Sequence, residues 1–408
     1  MERPIFTAIR SKSAALSLCL IFTACFAVAL ASSSAPQEGS ERVRPGDYAA
    51  DQKCLSCHRE QKTFQNTAHF LTSRPATKNS IAGVFHEGEN ILRTSNPELY
   101  YRMEARKNGF YQTAVLGMPP DTTPFSWRFD LVVGSGRKGQ SYLYWGEANR
   151  LFQLPASYWI DRGVSKWVNS PGFKDGELNS GRPATTRCLE CHTSYFDSIS
   201  ESSAGIRYDK TNYVLGISCA RCHGPGGEHA ALAAAGQLSR AAKSPGRAII
   251  NPANMPRARQ IEMCALCHGG VGTEKAPAFS YVAGKPLGDY LHLKTPGPEE
   301  AIDVHGNQVA LLERSRCFQS SAMTCSTCHN VHQPQREAAA FSGNCLTCHK
   351  VENCSLFPKR GREIAQNCVD CHMPKVTSGA IVSTSEGRTV QPQVRSHWIK
   401  VYSEAGNP

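Results

Sequence analysis

The pentapeptide Cys-x-x-Cys-His occurs seven times in this 408-residue chain. The copies are Cys54/Cys57/His58, Cys188/Cys191/His192, Cys219/Cys222/His223, Cys264/Cys267/His268, Cys325/Cys328/His329, Cys345/Cys348/His349 and Cys368/Cys371/His372. Two thiols at this spacing can form thioethers with the two vinyl groups of one porphyrin. The histidine that follows presents an imidazole to the iron from the same side. The repeat is therefore the attachment signature of c-type haem, and it predicts seven covalently held haems with those seven histidines as proximal ligands. Zinc does not account for it, because zinc sites pair Cys-x-x-Cys units in fours without a histidine after each. A thiol-redox motif would occur once, beside a βαβ pattern.

The motifs use fourteen of the eighteen cysteines. Cys19 and Cys25 fall in an N-terminal segment that reads as a secretory signal peptide over residues 1–31. It has a basic start at Arg3, Arg10 and Lys12, an apolar run from Ala14 to Ala31, and Ala29-Leu30-Ala31 as the cleavage site. An uncleaved anchor or a lipid on Cys25 are the alternatives. Export to a periplasmic or extracellular space suits thioether attachment. Cys317 and Cys354 remain, either as a disulfide or as two unpaired thiols. No later stretch is apolar enough to span a bilayer, so the mature form is expected not to cross a membrane.

The formal charge is +11; loss of residues 1–31, with three basic and one acidic side chain, lowers it to +9. No block of consecutive Lys or Arg appears, which argues against nucleic acid. Seven haems would bring about −14 in propionate charge, which part of the basic surface must balance.

Seven further histidines lie outside the motifs. Fourteen imidazoles would suffice for seven bis-histidine haems, the closed six-coordinate form suited to electron transfer. The distal candidates are His69, His229, His305, His332 and His397. His332 stands three residues after His329, so it cannot reach the far face of its own haem and would serve a neighbour. His229 follows the turn Gly224-Pro225-Gly226-Gly227 and could swing to another iron. His397 lies in the tail, far from any motif. His86 and His292 stand outside this set. Met118, Met255, Met263 and Met323 read as packing residues.

Six motifs fall between Cys188 and His372, about one per 31 residues. So little chain cannot enclose each haem in a conventional core, and the porphyrins must form the interior. The expected fold class is mostly α with long loops around a packed haem array, plus a small antiparallel β insertion. The expected division is signal peptide 1–31, linker 32–50, first haem segment 51–97, β-rich insertion 98–165, six-haem domain 166–375, and a tail 376–408 that supplies a distal histidine. Tyr100–Arg106 and Phe110–Val115 flank Asn108-Gly109, a hairpin signal. Trp127–Val133, Ser141–Trp145 and Arg150–Leu154 alternate like strands. Gly134 to Gly139 matches G-x-G-x-x-G, but a strand pattern follows where a dinucleotide site needs a helix, so a hairpin loop is expected.

Several segments resemble the multihaem cytochromes c of the cytochrome c-552/4 type, related to the tetrahaem electron acceptor of hydroxylamine oxidoreductase. They are Cys219 to His229, Asn251-Pro252, Cys264 to His268, Ser315 to Phe318, Thr324 to His332 and Cys368 to Pro374. The resemblance covers roughly residues 48–400 and implies His229, His332 and His397 as distal ligands.

The expected function is electron transfer along a chain of mostly bis-histidine haems, with donor and acceptor proteins as partners. Bis-histidine ligation predicts mostly low potentials. The alternative is a multihaem oxidoreductase with one five-coordinate haem; a structural role in a filament is a third reading. A pyridine haemochrome assay against protein mass should give seven haems per chain. Stoichiometric zinc without a Soret band would contradict the attachment reading.

Overall fold

The computed structural model describes residues 50–161, 163–238 and 249–402. The expected signal peptide and all but one residue of the linker lie outside the described residues. Two features organise the rest: a β-rich body in the first half, and short helices and turns that carry the motifs.

The β-rich body holds two antiparallel sheets. One is β2 (Ile91–Arg93), β3 (Leu99–Arg106), β4 (Gly109–Met118) and β5 (Asp121–Arg128) in chain order. The other orders β1 (Ser73–Pro75), β6 (Leu131–Val133), β7 (Gly139–Trp145), β8 (Leu151–Gln153) and β11 (Arg182–Pro183), with β9 (Ala156–Asp161) paired to β7 and β10 (Val164–Asn169) paired to β9. Strand β3 shows why: Leu99, Tyr101 and Met103 alternate inward while their neighbours face out. Their face joins Phe129, Tyr142, Tyr158 and Trp167 in one core. Phe129 and Tyr142 stack at 4.3 Å, and the Trp167 indole donates to the Val84 carbonyl at 2.9 Å. Strand β5 is the exposed edge, where Pro124 removes a donor that edge pairing would need.

The β3–β4 turn comprises Lys107 and Asn108, because Arg106 pairs with Gly109. Trp127–Val133 is not one strand. It breaks at Phe129-Asp130, where the Asp130 carboxylate accepts from the Trp145 amide at 2.7 Å. Gly134 to Gly139 forms the loop between antiparallel β6 and β7, with Gly134, Gly136 and Gly139 all at positive φ.

The chain is not mostly α. Helix and strand each take about 29% of it. The largest departure is the hairpin β12 (Thr193–Ser202) and β13 (Gly205–Leu215), which starts at the residue after His192. Phe196, Ile206 and Tyr208 from this hairpin pack with Leu131, Leu143 and Leu151 of the β-rich body in a second core. That burial outweighs the loop character expected between closely spaced motifs. Further pairs of short strands follow: β14 (Gly272–Glu274) with β15 (Leu291–Leu293), and, in the tail, β16 (Lys375–Thr377) with β19 (Gln393–Arg395) and β17 (Ser383–Ser385) with β18 (Arg388–Val390).

The helices are short: α1 (Asp51–Cys57), α2 (Thr186–His192), α3 (Cys219–His223), α4 (Gly227–Ala234), α5 (Arg257–His268), α6 (Ala338–Cys345) and α7 (Cys368–His372) are those next to motifs. A third core of Leu266, Tyr281, Leu287, Leu291 and Val309 backs α5. Beyond Leu311, only Phe318, Ile364 and Val369 are buried apolar side chains among the described residues. No helix among them is long and apolar enough to cross a membrane. Replacing Trp167 with Ala should cost about 3–5 kcal/mol, as for other buried aromatics. Denaturation followed by near-ultraviolet circular dichroism would show it, with the Soret band unchanged.

Candidate haem-ligand cluster

Each attachment motif sits on one helical turn. The His58, His329 and His349 amides donate to the carbonyls of Cys54, Cys325 and Cys345, each at 2.9 Å. Residues i, i+3 and i+4 of a helix share one face, so this turn aims both thiols and the imidazole the same way. Local devices fix the turns. The Thr185 hydroxyl caps α2 by accepting from the Cys188 amide. Asp51 accepts from the Cys219 amide at 3.0 Å, which ties the first motif to the third. In the seventh motif the Cys371 amide donates to the Asn367 carbonyl at 3.2 Å, which closes the first turn of α7.

The Nδ1 atoms of several proximal rings are already engaged. His223 Nδ1 lies 2.9 Å from the Ile250 carbonyl and His372 Nδ1 2.8 Å from the Lys400 carbonyl. A carbonyl only accepts, so these rings carry the proton on Nδ1 and keep the Nε2 lone pair free for iron. His192 Nδ1 meets the Thr72 hydroxyl at 3.0 Å, and His268 Nδ1 meets the Gln308 side-chain oxygen at 3.2 Å. Strand β1 adds a clamp, since Ser73 Oγ donates to the His192 carbonyl at 2.7 Å and accepts from the Gly216 amide at 2.8 Å.

The distal candidates stand opposite motif histidines. Ring centroids are 6.4 Å apart for His58 and His229, 6.0 Å for His223 and His332, and 6.2 Å for His329 and His397, with interplanar angles of 21°, 22° and 25°. His69 and His268 are 6.1 Å apart with their planes at 86°. Two iron–nitrogen bonds of about 2 Å plus two half-rings of about 1.1 Å span about 6.2 Å, so all four spacings fit two imidazoles on one iron. The relative rotation of the planes is free about the axis joining them.

His305 lies within electrostatic range of His192. Burial holds His192 down to about 4, and the nearby charge of His305 adds to this. Burial, then His268, does the same to His69, and burial, then His329, to His397, both to about 4. Such rings stay neutral near pH 7, the form that binds metal. The tail is fastened so that His397 arrives in place. Arg395 donates to the Val369 and Met373 carbonyls at 2.7 and 2.8 Å and pairs with Asp370 at 2.7 Å. Ser315 Oγ donates to the His397 carbonyl at 3.1 Å.

All fourteen motif cysteines carry free thiols, Cys57, Cys188 and Cys371 included, so none is tied up in a disulfide. Thiols of different motifs also meet. Cys54 and Cys219, Cys191 and Cys267, and Cys264 and Cys325 lie close enough to interact. Cys222 lies within electrostatic range of Cys264, Cys328 of Cys348, and Cys345 of Cys368. Within the seventh motif, Cys371 lies within the same range of Cys368, as two thiols bound for one porphyrin must. Cys317 and Cys354, which could have bridged, are free thiols as well. His86 and His292 are exposed, on a turn beside the β core and on β15.

Sequence reasoning passed over one element of this cluster. Glu190, 4% exposed, receives Arg187 Nη1 at 2.8 Å, Arg221 Nη2 at 3.5 Å and the Phe279 amide at 2.8 Å. Arg187 also donates to the Leu266 carbonyl. The cluster thus joins α2, α3 and α5. Its signal was present as opposite charges inside two motifs, Cys188-Leu189-Glu190-Cys191 and Cys219-Ala220-Arg221-Cys222.

The family described as cytochrome c554 and c-prime matches residues 173–224, which contain the second and third motifs. The C-type polyheme cytochrome OmcC of Geobacter sulfurreducens is 24% identical over 201 residues. That match covers 40% of this chain and 23% of the relative, so it spans under a quarter of the relative's length. No solved structure matches the chain. The motifs and both matches support a multihaem c-type cytochrome with covalently held haem c.

Replacing Glu190 with Gln would leave the buried Arg221 and the half-buried Arg187 guanidinium groups short of their counter-charge. A loss of about 3–5 kcal/mol is expected on chemical denaturation.

Proposed function

We propose that the chain is an exported heptahaem electron-transfer cytochrome in which five haems carry two imidazoles each. The proposed pairs are His58/His229, His192/His305, His223/His332, His268/His69 and His329/His397. The observation that carries this reading is the ring spacing, 6.0 to 6.4 Å in four of the pairs. Bound haem supplies a one-electron iron couple; the chain's own residues set where each couple stands and what surrounds it.

The thiol contacts support an order for those positions. The first motif adjoins the third, the third and second adjoin the fourth, and the fourth adjoins the fifth. The fifth adjoins the sixth and the sixth the seventh. The distal histidines would repeat one of these links and add two more. His229 lies just beyond the third motif and faces the first, His69 beyond the first and faces the fourth, and His332 beyond the fifth and faces the third. In this reading residues 166–375 hold six attachment sites, and the tail 376–408 contributes His397. The likeness to the c-552/4 type and its hydroxylamine-oxidoreductase-related superfamily belongs to the same reading, as do redox partner proteins at the two ends.

Replacing His229, His332 or His397 singly with Ala should leave seven haems per chain and convert one low-spin haem to high-spin in the electron paramagnetic resonance spectrum. An unchanged spectrum for any of the three removes that histidine from the ligand set.

A further inference from the structure

All fourteen histidines lie within the described residues. Eight of them fall into four facing ring pairs, and His305 lies within electrostatic range of His192. The rings that follow the sixth and seventh motifs, His349 and His372, have no facing imidazole among the ring contacts that define four of the other five sites. His372 is nevertheless oriented for iron, because the Lys400 carbonyl holds its Nδ1 proton. His349 closes its turn by donating from its amide to the Cys345 carbonyl at 2.9 Å. Both motifs are therefore built like the others on the proximal side and differ on the distal side.

The two remaining histidines belong to other parts of the fold. His86 follows Phe85, which packs on the aromatic core of the β-rich body. His292 sits on β15, opposite Thr273 of β14, where its strand neighbour Leu291 joins the core behind α5. The last two motifs instead share a local packing unit. Helix α7 packs on α6, and α6 packs in turn on residues 361–366. Within it, Ser342 Oγ donates to the Gln366 carbonyl at 2.9 Å.

We propose that the haems fixed at Cys345/Cys348/His349 and Cys368/Cys371/His372 keep an exchangeable sixth position and bind small inorganic ligands. This rests on the reading of haem at all seven motifs and adds an activity to it. The ligand class is small molecules with a carbon, nitrogen or oxygen donor atom, anions included. Exposed Lys350, the residue after His349, favours the approach of anions. The position in the array gives the site its sense. The sixth motif adjoins the fifth through Cys348 and Cys328, and the seventh adjoins the sixth through Cys368 and Cys345. Five closed haems would then lead to a pair of open ones at the C-terminal end.

Carbon monoxide titration of the reduced holoprotein tests this, with the haem content measured on the same sample. The expected result is seven haems and two carbon monoxide molecules bound per chain. The same two should bind to H86A and to H292A. The double variant C345A/C348A, which cannot attach the sixth haem, should bind one. Fewer than seven haems in the natural chain would strike the heptahaem reading itself. Seven haems with fewer than two bound molecules would overturn this proposal alone, as would a gain of binding in H86A or H292A. A C345A/C348A protein with six haems and two bound molecules would overturn the assignment to the sixth motif.

Discussion

One helical turn carrying two thiols and an imidazole on a single face is the constraint from which this structure follows. Repeated seven times, it dictates seven places where backbone must be helical for about one turn and no more. The helices next to motifs are otherwise five to eight residues long; α5, with twelve, is the exception and has a core of its own to lie on. The segments between motifs then have one task, to bring a second histidine or a neighbouring thiol within range. Turns serve this better than long elements. The run Gly224-Pro225-Gly226-Gly227 redirects the chain between His223 and His229, with Gly224 at φ 78°.

The β-rich body serves the cluster by anchoring its first members. Its second core grips α2 from one side, and β1 reaches past it to hold His192 through Ser73 and Thr72. The Arg187–Glu190–Arg221 cluster then fastens α2 to α3 and α5. Buried ion clusters of this kind set registry more than they add stability, and here the registry is that of three attachment turns. Toward the C-terminus the balance changes. Buried apolar side chains become few, and short hydrogen bonds from Ser315, Ser342 and Arg395 hold the chain instead. Porphyrin faces in that region would complete an interior that side chains alone leave thin.

The attachment positions were legible in the sequence because the thioether chemistry tolerates one spacing. His332 was singled out in the sequence for its closeness to His329, and its ring stands 6.0 Å from that of His223. The hairpin of β3 and β4 was legible from Asn108-Gly109 between the segments Tyr100–Arg106 and Phe110–Val115. The β12–β13 hairpin was not read, although Phe196, Ile206 and Tyr208 announce it, because dense motifs on both sides suggested loop throughout. The partner of each distal histidine was also hidden. His69 faces His268 across 199 positions of chain, a long-range contact that local pattern cannot encode. Glu190 escaped notice because a charged spacer inside a motif looks like surface until a second, opposite charge is found beside it.

Everything else turns on which imidazoles share an iron. A cryo-electron microscopy map of the holoprotein, at a resolution that separates porphyrin from side chain, decides it directly. The proposed pairing predicts one porphyrin between the rings of each pair and porphyrins at the last two motifs without a second histidine. A porphyrin at Cys219/Cys222 with any axial partner other than His223 and His332 would contradict it.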